Sequence, residues 1–299
     1  MVHILYNPTS NCSVNIESSL AQAKELYKND DTVVKSLLEI EDLKEYFISL
    51  GKSDKVVLLG GDGTLNVFCN KLRGVDIKNE IYLYKAGTGN DFLRDVCGEN
   101  FENAKILKIN EYIENLPVVT VNGKEYLFVN NVGFGIDGKV CTAAEDLKAK
   151  GKKSINYTTL AIKLLLTNYK PNGATVIVDG KSRKYKRVWM SPVMNGLYYG
   201  GGMMPTPNQD RKSDNVSVCT IHSTNPLQTL IIFPSIFKGE HVKHTKKVSN
   251  CSGKEIEVVF DAPQDVQIDG ETIRDVTKIS VKKYESVSLR DEKFKTTTV

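Results

Sequence analysis

The sequence predicts two domains, an α/β domain at the amino end and a mainly antiparallel β domain after it. Three observations support this fold class. Strand and helix patterns alternate over the first third of the 299 residues, which is typical of βαβ units with a parallel sheet. Two of the strands end in the glycine-rich strings "GGDGT" and "GTGND". After about residue 115 the pattern changes to short strands joined by turn residues.

The first domain is expected to span residues 1–115. It begins with the strand "VHILYNP", a helix over 16–26, the strand "TVVKSLL" and a helix near 41–50. The strand "KVVLLG", a helix following Thr64 and the strand "EIYLYKAG" come next. Ligands of such sheets bind at the carboxyl ends of the strands, where both glycine strings lie.

The second domain is expected to span residues 116–282. Its first segment, "LPVVTVNGKEYLFVNNVGFG", reads as a hairpin with Asn122-Gly123 at the turn. Further β patterns follow, with helical segments near 157–169 and 227–237. The sequence leaves open whether the last strands, about 283–299, return to the first domain.

Composition excludes several classes of protein. The net charge of +4 is too small to indicate a nucleic-acid binder. The amino terminus lacks the pattern of a signal peptide, and the longest apolar runs fall short of the ~20 residues of a membrane span. Six scattered cysteines without a CxxC pair indicate reduced thiols and a cytoplasmic protein. A homodimer is compatible with the sequence, which does not fix the oligomeric state.

The string "GGDGTLN" after an apolar strand predicts a phosphate-binding loop. Glycines let the backbone approach a phosphate closely, and amides at a strand-to-helix junction point at the anion. Thr64 and Asn66 would add hydrogen-bond donors, and Asp62 a carboxylate beside the phosphates. A plain turn between strand and helix is the alternative.

The string "AGTGNDFLRD" repeats this design at the end of the next strand. It contains Gly87, Thr88 and Gly89, followed by Asn90 and Asp91. Two such loops would converge at one sheet edge. Their aspartates could hold Mg²⁺ or orient an acceptor hydroxyl.

Two other strings have weaker meanings. "GFGIDG", residues 133–138, satisfies G-x-G-x-x-G, but no acidic residue follows at the distance that a dinucleotide fold requires. Its surroundings are predicted to be antiparallel β, so the dinucleotide interpretation is disfavoured. "QIDGE" places Asp269 near Glu271, and by itself Asp-Gly predicts only a hairpin turn.

These strings, in this order, resemble the diacylglycerol kinase catalytic family, particularly its soluble bacterial lipid kinases. The resemblance covers almost the whole chain through "NPTS", "GGDGTLN", "AGTGNDF", "NNVGFGIDGKV", "NGLYYGGGMMPTP", "GEHVKHTKKV" and "QIDGE". It implies an NAD-kinase-like α/β nucleotide domain, a β-sandwich domain and a cleft between them. It also implies ATP and Mg²⁺ as cofactors and a membrane lipid such as diacylglycerol as the substrate.

The resemblance assigns roles to particular residues. Glu271 becomes the base toward the lipid hydroxyl, and Asp62, Asp91 and Asp269 provide the acidic setting of the catalytic Mg²⁺. A structural metal would bind the Asp214 side chain and the carbonyls of Arg211 and Val216. The residues expected to contact the nucleotide are Asn7, Pro8, Thr9, Ser10, Gly60, Gly61, Asp62, Gly63, Thr64, Leu65, Asn66, Gly87, Thr88 and Asn90.

The chain departs from the family pattern at four positions. Lys85 stands where proline is usual, Val67 where glutamate is usual, and Asn11 and Asn215 where glycine is usual. The last change weakens the expectation of a structural metal. Since no acidic catalytic position is lost, we expect an active enzyme.

A lipid kinase without a membrane span must contact the bilayer transiently. Lys148, Lys150, Lys152 and Lys153 precede an apolar helical segment, a combination that suits an anionic interface. A solvated turn that leads into a core helix is the alternative. Two other functions also stay open, a kinase of a soluble substrate of the NAD kinase type and a non-catalytic lipid- or nucleotide-binding regulator.

Overall fold

The computed structural model describes residues 1–8, 16–87, 89–152, 155–167 and 169–283. The described chain divides into two compact units, a first unit up to Leu116 and a second unit from Pro117 to Lys283. The first is α/β and the second is mainly antiparallel β, so the predicted fold class is confirmed. The residues 284–299 that were considered for a return to the first domain lie outside the described residues.

The first unit is a sheet with helices around it. Its strands are β1 (Val2–Tyr6), β2 (Thr32–Ser36), β3 (Lys55–Gly60), β4 (Glu80–Lys85) and β5 (Ile106–Lys108). Its helices are α1 (Ile16–Leu26), α2 (Leu43–Ser49), α3 (Asp62–Lys71), α4 (Asp91–Cys97) and α5 (Asn110–Ile113), with a 3-10 turn at Gly98–Asn100. The sheet order is β2-β1-β3-β4-β5. The first four strands run parallel and β5 runs antiparallel to β4.

Burial explains why these segments became strands. Val56, Val57, Leu58 and Leu59 are fully buried, as expected for a central strand of a parallel sheet with both faces covered. The helix predicted after Thr64 begins earlier, at Asp62, because the amide of Leu65 already bonds the carbonyl of Gly61. Part of the first glycine string is therefore the first turn of α3.

The second unit is a ten-stranded sheet. Its strands are β6 (Val118–Val121), β7 (Lys124–Leu127), β8 (Asn131–Phe134), β9 (Asn172–Val178), β10 (Lys181–Met190), β11 (Val193–Met194), β12 (Val216–His222), β13 (Val248–Gly253), β14 (Glu255–Ile268) and β15 (Glu271–Lys282). The order is β7-β6-β15-β14-β8-β11-β12-β10-β9, with β13 beside β12 and a further pairing of β14 with β9. The predicted hairpin is confirmed, since Asn122 and Gly123 join β6 to β7 with positive φ.

The described part of this unit contains three α-helices, α6 (Ile136–Ala149), α7 (Tyr157–Thr167) and α8 (Pro226–Ile232). The last continues as 3-10 turns over Phe233–Lys238 and Glu240–Lys243, so the helices expected near 157–169 and 227–237 are both present. Within the described ranges, no helix has the length and apolar character needed to cross a membrane.

The sequence pattern missed α6. The string "GFGIDG" does open a helix, contrary to the expectation of purely antiparallel β around it. Strand β8 before it pairs antiparallel with β11 and β14, so the pairings described for it contain no βαβ unit. A side chain at Gly138 would overlap the backbone of Asp265 on β14. This glycine therefore serves close packing of α6 on the sheet.

Candidate functional site

The two glycine-rich loops of the first unit touch each other through their backbones. A Cβ atom added to Gly61 would lie 2.8 Å from the Cα atom of Gly87, and one added to Gly87 would overlap Gly61. Any side chain at either position would separate the loops. The predicted convergence of the two loops is therefore present, and these two glycines are needed for it.

The carboxylate of Asp62 joins the loops a second time. Its Oδ2 accepts a hydrogen bond of 2.9 Å from the amide of Asp91, and its Oδ1 accepts one of 2.8 Å from the amide of Phe92. These amides belong to the first turn of α4, which needs acceptors from outside the helix. Asp62 thus caps the helix that follows the second loop.

The first turn of α3 is accessible at Gly63, which is exposed. Gly61, at the N-cap position, has no side chain that could cap the first-turn amides. A Cβ added to Gly63 would meet nothing among the described atoms within 4 Å. Partial positive charge at such a helix end, with close access to the backbone, suits a phosphate group.

Three side chains near the start of this helix are buried and so do not face a ligand. Thr64, Leu65 and Asn66 are all buried, and a Cβ on Gly60 would overlap the side chain of Thr64. The side-chain donors expected at Thr64 and Asn66 therefore point into the unit. Backbone amides are the groups that remain for an anion.

Two carboxylates border Gly89 in the second loop. Asp62 Oδ2 and Asp91 Oδ2 are each 3.6 Å from the Cβ position of Gly89, and Asp91 is buried. Paired carboxylate oxygens are hard ligands of the kind that Mg²⁺ prefers, so this pair fits the ion. Among the described residues, no group of three or more His, Cys, Asp or Glu side chains is arranged to hold a metal.

Asn90 closes the second loop on itself. Its Oδ1 accepts a 3.1 Å hydrogen bond from the amide of Gly87, and its Nδ2 donates one of 2.6 Å to the Gly87 carbonyl. Asn90 itself has a φ of 50°. Its amide group shapes the loop rather than facing outward.

Only part of the expected nucleotide site falls within the described residues. Asn7 and Pro8 follow β1 and are partly or largely exposed. Thr9, Ser10, Asn11 and Thr88 lie outside the described residues. The departure Lys85 donates 2.9 Å to the carbonyl of Phe101.

In the second unit, the "QIDGE" string forms the two-residue turn between β14 and β15. Asp269 and Gly270 have φ values of 46° and 102°, and Ile268 pairs with Glu271 across the turn. The hairpin expected from Asp-Gly is therefore present. Glu271 is exposed as the first residue of β15.

Asp269 is an anchor for this turn. Its carboxylate accepts hydrogen bonds from the amides of Val129 (2.5 Å), Asn130 (2.8 Å) and Asn131 (3.0 Å). Three backbone donors satisfy most of the acceptor capacity of one carboxylate. Asp269 therefore fixes the position of the turn that carries Glu271.

Helix α6 supports the same hairpin from another side. Thr272 Oγ1 donates 2.5 Å to Glu145 Oε2, and Arg274 donates 2.7 Å to Asp146 Oδ1. In the sequence, Glu271 lies between Asp269 in the turn and the two residues held by α6, Thr272 and Arg274. Its carboxylate is thus exposed on a backbone held from both ends.

The loop expected to bind a structural metal is hydrogen-bonded to the side chain of Lys283. The Arg211 carbonyl accepts a 2.6 Å hydrogen bond from Lys283 Nζ. The Val216 carbonyl, in β12, accepts one of 3.3 Å from Ser252 Oγ. Asp214 is exposed. Burial, together with the nearby Arg211 charge, lowers the pKa of Lys283 to about 8.

One buried acid escaped the sequence analysis. Asp137, in the first turn of α6, is buried beside Tyr199 and Cys219, and burial raises its pKa to about 7. In the sequence, this aspartate stands inside the glycine motif "GFGIDG" and has no other distinguishing signal.

Comparison with known proteins places the chain in a family of kinases. The model of the diacylglycerol kinase catalytic domain matches residues 1–121, and that of the YegS C-terminal NAD kinase beta sandwich-like domain matches residues 130–283. The chain therefore belongs to the diacylglycerol and lipid kinase family, as the sequence motifs predicted. Membership implies ATP-dependent phosphoryl transfer and a lipid substrate.

Individual relatives agree with this assignment. The chain is 26% identical over 211 residues to a diacylglycerol kinase of Mycobacterium tuberculosis (strain CDC 1551 / Oshkosh), covering 69% of this chain and 67% of that protein. Its fold is similar to the crystal structure of a diacylglycerol kinase from Bacillus anthracis str. Sterne. That match has a TM-score of 0.62 and 17% identity, and covers 94% of this chain and 93% of the other.

Proposed function

We propose that the chain is an ATP-dependent lipid kinase that transfers the γ-phosphoryl group to the hydroxyl of diacylglycerol or a related lipid. The product would be phosphatidic acid or its analogue. The observation that carries this proposal is the outward-facing start of α3 beside an acidic pair, in a chain of this family. Positioning and charge neutralisation of this kind are what phosphoryl transfer requires.

On the nucleotide side, the backbone amides at the start of α3 would bind the phosphates. Gly63 leaves the approach open, while Gly61 and Gly87 hold the two loops together. Asn90 shapes the second loop, and Asp62 caps the helix that follows it. Asn7 and Pro8, at the end of β1, are proposed to border the same nucleotide.

Asp62 and Asp91 are the residues that would hold Mg²⁺. The ion, when bound, would offset negative charge on the phosphates. Asp62 keeps acceptor capacity for this because each of its oxygens accepts one amide hydrogen bond and has two lone pairs. Its second function, capping α4, fixes both carboxylates relative to the helix end.

On the acceptor side, Glu271 is proposed as the general base. The lipid hydroxyl oxygen would attack the γ-phosphorus as its proton passes to Glu271, and the bond between the γ-phosphorus and the bridging oxygen would break to release ADP. An exposed carboxylate on a fixed backbone can approach such a hydroxyl. We assign Asp269 a positioning role, since its oxygens are used by three backbone amides.

We further propose a membrane-contacting face on the second unit. Helices α7 and α8 bury one side in a shared core that includes Leu165 and Ile232. Each also exposes apolar residues one helical turn apart, Ile162 and Leu166 on α7, and Leu227 and Ile231 on α8. The alternative that α7 is simply a core helix therefore applies to its buried face and not to the face that carries Ile162 and Leu166.

Charge favours the same partner. Lys148, Lys150 and Lys152 at the end of α6 are exposed, as is Lys163 between the apolar residues of α7, while Lys153 lies outside the described residues. Exposed apolar side chains with lysines suit an anionic bilayer surface. The enzyme would then work from the cytoplasm and contact the membrane during turnover.

The acceptor is tested by measuring ADP release from ATP and Mg²⁺ with a panel of candidate substrates. The panel comprises diacylglycerol and ceramide in mixed micelles, NAD in solution, and micelles alone. We expect release above the micelle background with a lipid. Release with NAD alone would support the soluble-substrate kinase, and no release with any acceptor would support the non-catalytic regulator.

A further inference from the structure

The ammonium group of Lys283 lies buried inside the loop that the family resemblance assigns to a metal. Lys283 follows the last residue of β15 and is 6% exposed. Its Nζ donates 2.6 Å to the Arg211 carbonyl and 2.9 Å to Asn195 Oδ1. An ammonium has three donors and no acceptor. Like a metal ion, it can therefore bind several oxygens at once and hold together the segments that carry them.

Side-chain donors also lie close to two further carbonyls of this loop, those of Asp210 and Asn215. Gln209 Nε2, which has two hydrogens to donate, lies within hydrogen-bond distance of the carbonyls of Asn195 (3.2 Å), Asp210 (3.1 Å) and Asn215 (3.0 Å). Ser213 Oγ, which has one, lies 2.7 Å from the Asp210 carbonyl and 3.2 Å from that of Asn215. The carbonyls of Asp210, Arg211 and Asn215 therefore each have a protein donor within reach.

Two cations are buried at this loop, Lys283 and Arg211. The acids of the loop, Asp210 and Asp214, are exposed. A divalent ion at the same carbonyl would add positive charge next to Lys283 and Arg211. Because both residues are buried, the repulsion between these charges would be only weakly screened and would cost free energy.

We propose that Lys283 is an internal cation that holds the 209–216 loop in place of a structural divalent metal. This inference goes beyond the proposed lipid kinase function, because it concerns how the second unit is held together.

The loop is connected to the anchored turn of "QIDGE". The Arg211 guanidinium donates 3.1 Å to the Val129 carbonyl and 2.9 Å to Asn130 Oδ1. The amides of these two residues are donors to Asp269. Lys283, through Arg211, thus supports the segment on which the Asp269 turn rests.

The test compares thermal unfolding of the full chain, free of nucleotide, in EDTA and in millimolar MgCl₂, together with elemental analysis of the purified protein. We expect a melting temperature equal within about 1 °C in both conditions, because the hydrogen bonds of Lys283 do not depend on metal. We also expect far less than one divalent ion per chain. About one bound ion per chain that is retained in Asp62→Ala, which lacks a proposed Mg²⁺ ligand of the first unit, with a fall in melting temperature in EDTA, would overturn the proposal.

Two variants sharpen the comparison. Lys283→Met removes the charge at similar length and should lower the melting temperature by roughly 5–10 °C, since it leaves buried carbonyls without a donor. Lys278→Met is the control, because it removes only the surface ion pair with Glu257 and should change the melting temperature by about 1 °C or less. Equal effects of the two substitutions would refute the role of Lys283. If Lys283→Met does not fold, the wild-type measurement still decides.

Discussion

The carboxylate of Asp62 accepts a 2.9 Å hydrogen bond from the backbone amide of Asp91, which ties the end of the first glycine loop to the start of α4. A residue expected only beside phosphates and metal therefore also holds the second loop. Sequence position alone could not show this, because the two residues lie on different βα junctions. The relationship makes Asp62 both a candidate ligand and a helix cap.

Asp62→Ala should impair both stability and nucleotide use. It removes two hydrogen bonds at the amino end of α4. We therefore expect the melting temperature to fall by roughly 2–4 °C for each kcal/mol of lost capping. The KM for ATP should rise and kcat should fall by about 100-fold or more. Asp76→Ala, which affects an exposed pair with Lys78, is the control. Turnover within twofold of wild type would exclude Asp62 from the site.

Gly63→Ala should separate folding from phosphate binding. A methyl group there meets nothing among the described atoms, and alanine is the better helix former, so stability should be unchanged or raised. The same methyl group would stand in the phosphate approach, and we expect the affinity for ATP to fall at least tenfold, measured by calorimetry. Undiminished affinity would place the phosphates elsewhere.

Gly87→Ala is the matched opposite of Gly63→Ala. Its Cβ would overlap Gly61, so the loops must separate and the melting temperature should fall. A variant as stable as wild type would show that the loops can part without cost. Thermal unfolding in the absence of nucleotide makes the comparison.

Glu271→Gln should abolish turnover and spare ATP binding. Loss of a general base costs about 10²–10⁴ in rate, whereas the hairpin is anchored by Asp269 and does not require the Glu271 charge. We expect the dissociation constant for ATP to stay within twofold. Glu257→Gln, on the preceding strand and paired with Lys278, should leave kcat unchanged. Parallel loss of binding and turnover in Glu271→Gln would contradict the assigned role.

The double substitution Leu227→Glu with Ile231→Glu should weaken membrane contact. These side chains are 66% and 72% exposed on α8, so the fold should tolerate the change. We expect sedimentation with anionic lipid vesicles to fall at least tenfold, as apolar area and charge both become unfavourable. Ile48→Glu, a 75% exposed position in the first unit, is the control. Equal vesicle binding by all three proteins would reject the α7–α8 face.

Asp137→Asn should stabilise the protein at alkaline pH. Burial raises the pKa of Asp137 from 3.8 to about 7, so the folded state retains a proton that the unfolded state has lost between these values. Stability from this group therefore falls as pH rises from about 4 to 7.

At pH 8 the asparagine variant should melt roughly 5–10 °C above wild type, with a smaller gain at pH 5. Asp261→Asn changes an exposed aspartate in the same unit and should show no such dependence. A gain that is equal at both pH values would exclude titration of Asp137 as the cause.

The local patterns of the sequence predicted much of this fold. The apolar run before Gly60 became a buried strand, and Asn122-Gly123 became a hairpin turn, because both depend on neighbouring residues alone. Helix α6 was missed, since its first turn is glycine-rich and the close packing on Asp265 that explains Gly138 is a tertiary contact.

The candidate site was predictable in its parts but not in its internal contacts. Motifs placed the two glycine loops together, yet the burial of Thr64 and the three amide partners of Asp269 depend on packing. Lys283 is a single lysine at the end of a strand, and no spacing marks it. Its role follows only from the oxygens that surround it.

The most direct test follows the labelled phosphoryl group itself. Wild-type protein is incubated with Mg²⁺ and ATP labelled at either the γ- or the α-phosphate, with diacylglycerol micelles, and the lipid extract is separated by chromatography. We predict that label from γ-labelled ATP enters a phosphorylated lipid and that label from α-labelled ATP does not. Absence of γ-label from every lipid fraction, with ATP bound and the protein folded, would contradict the assignment of this chain as a diacylglycerol-type lipid kinase.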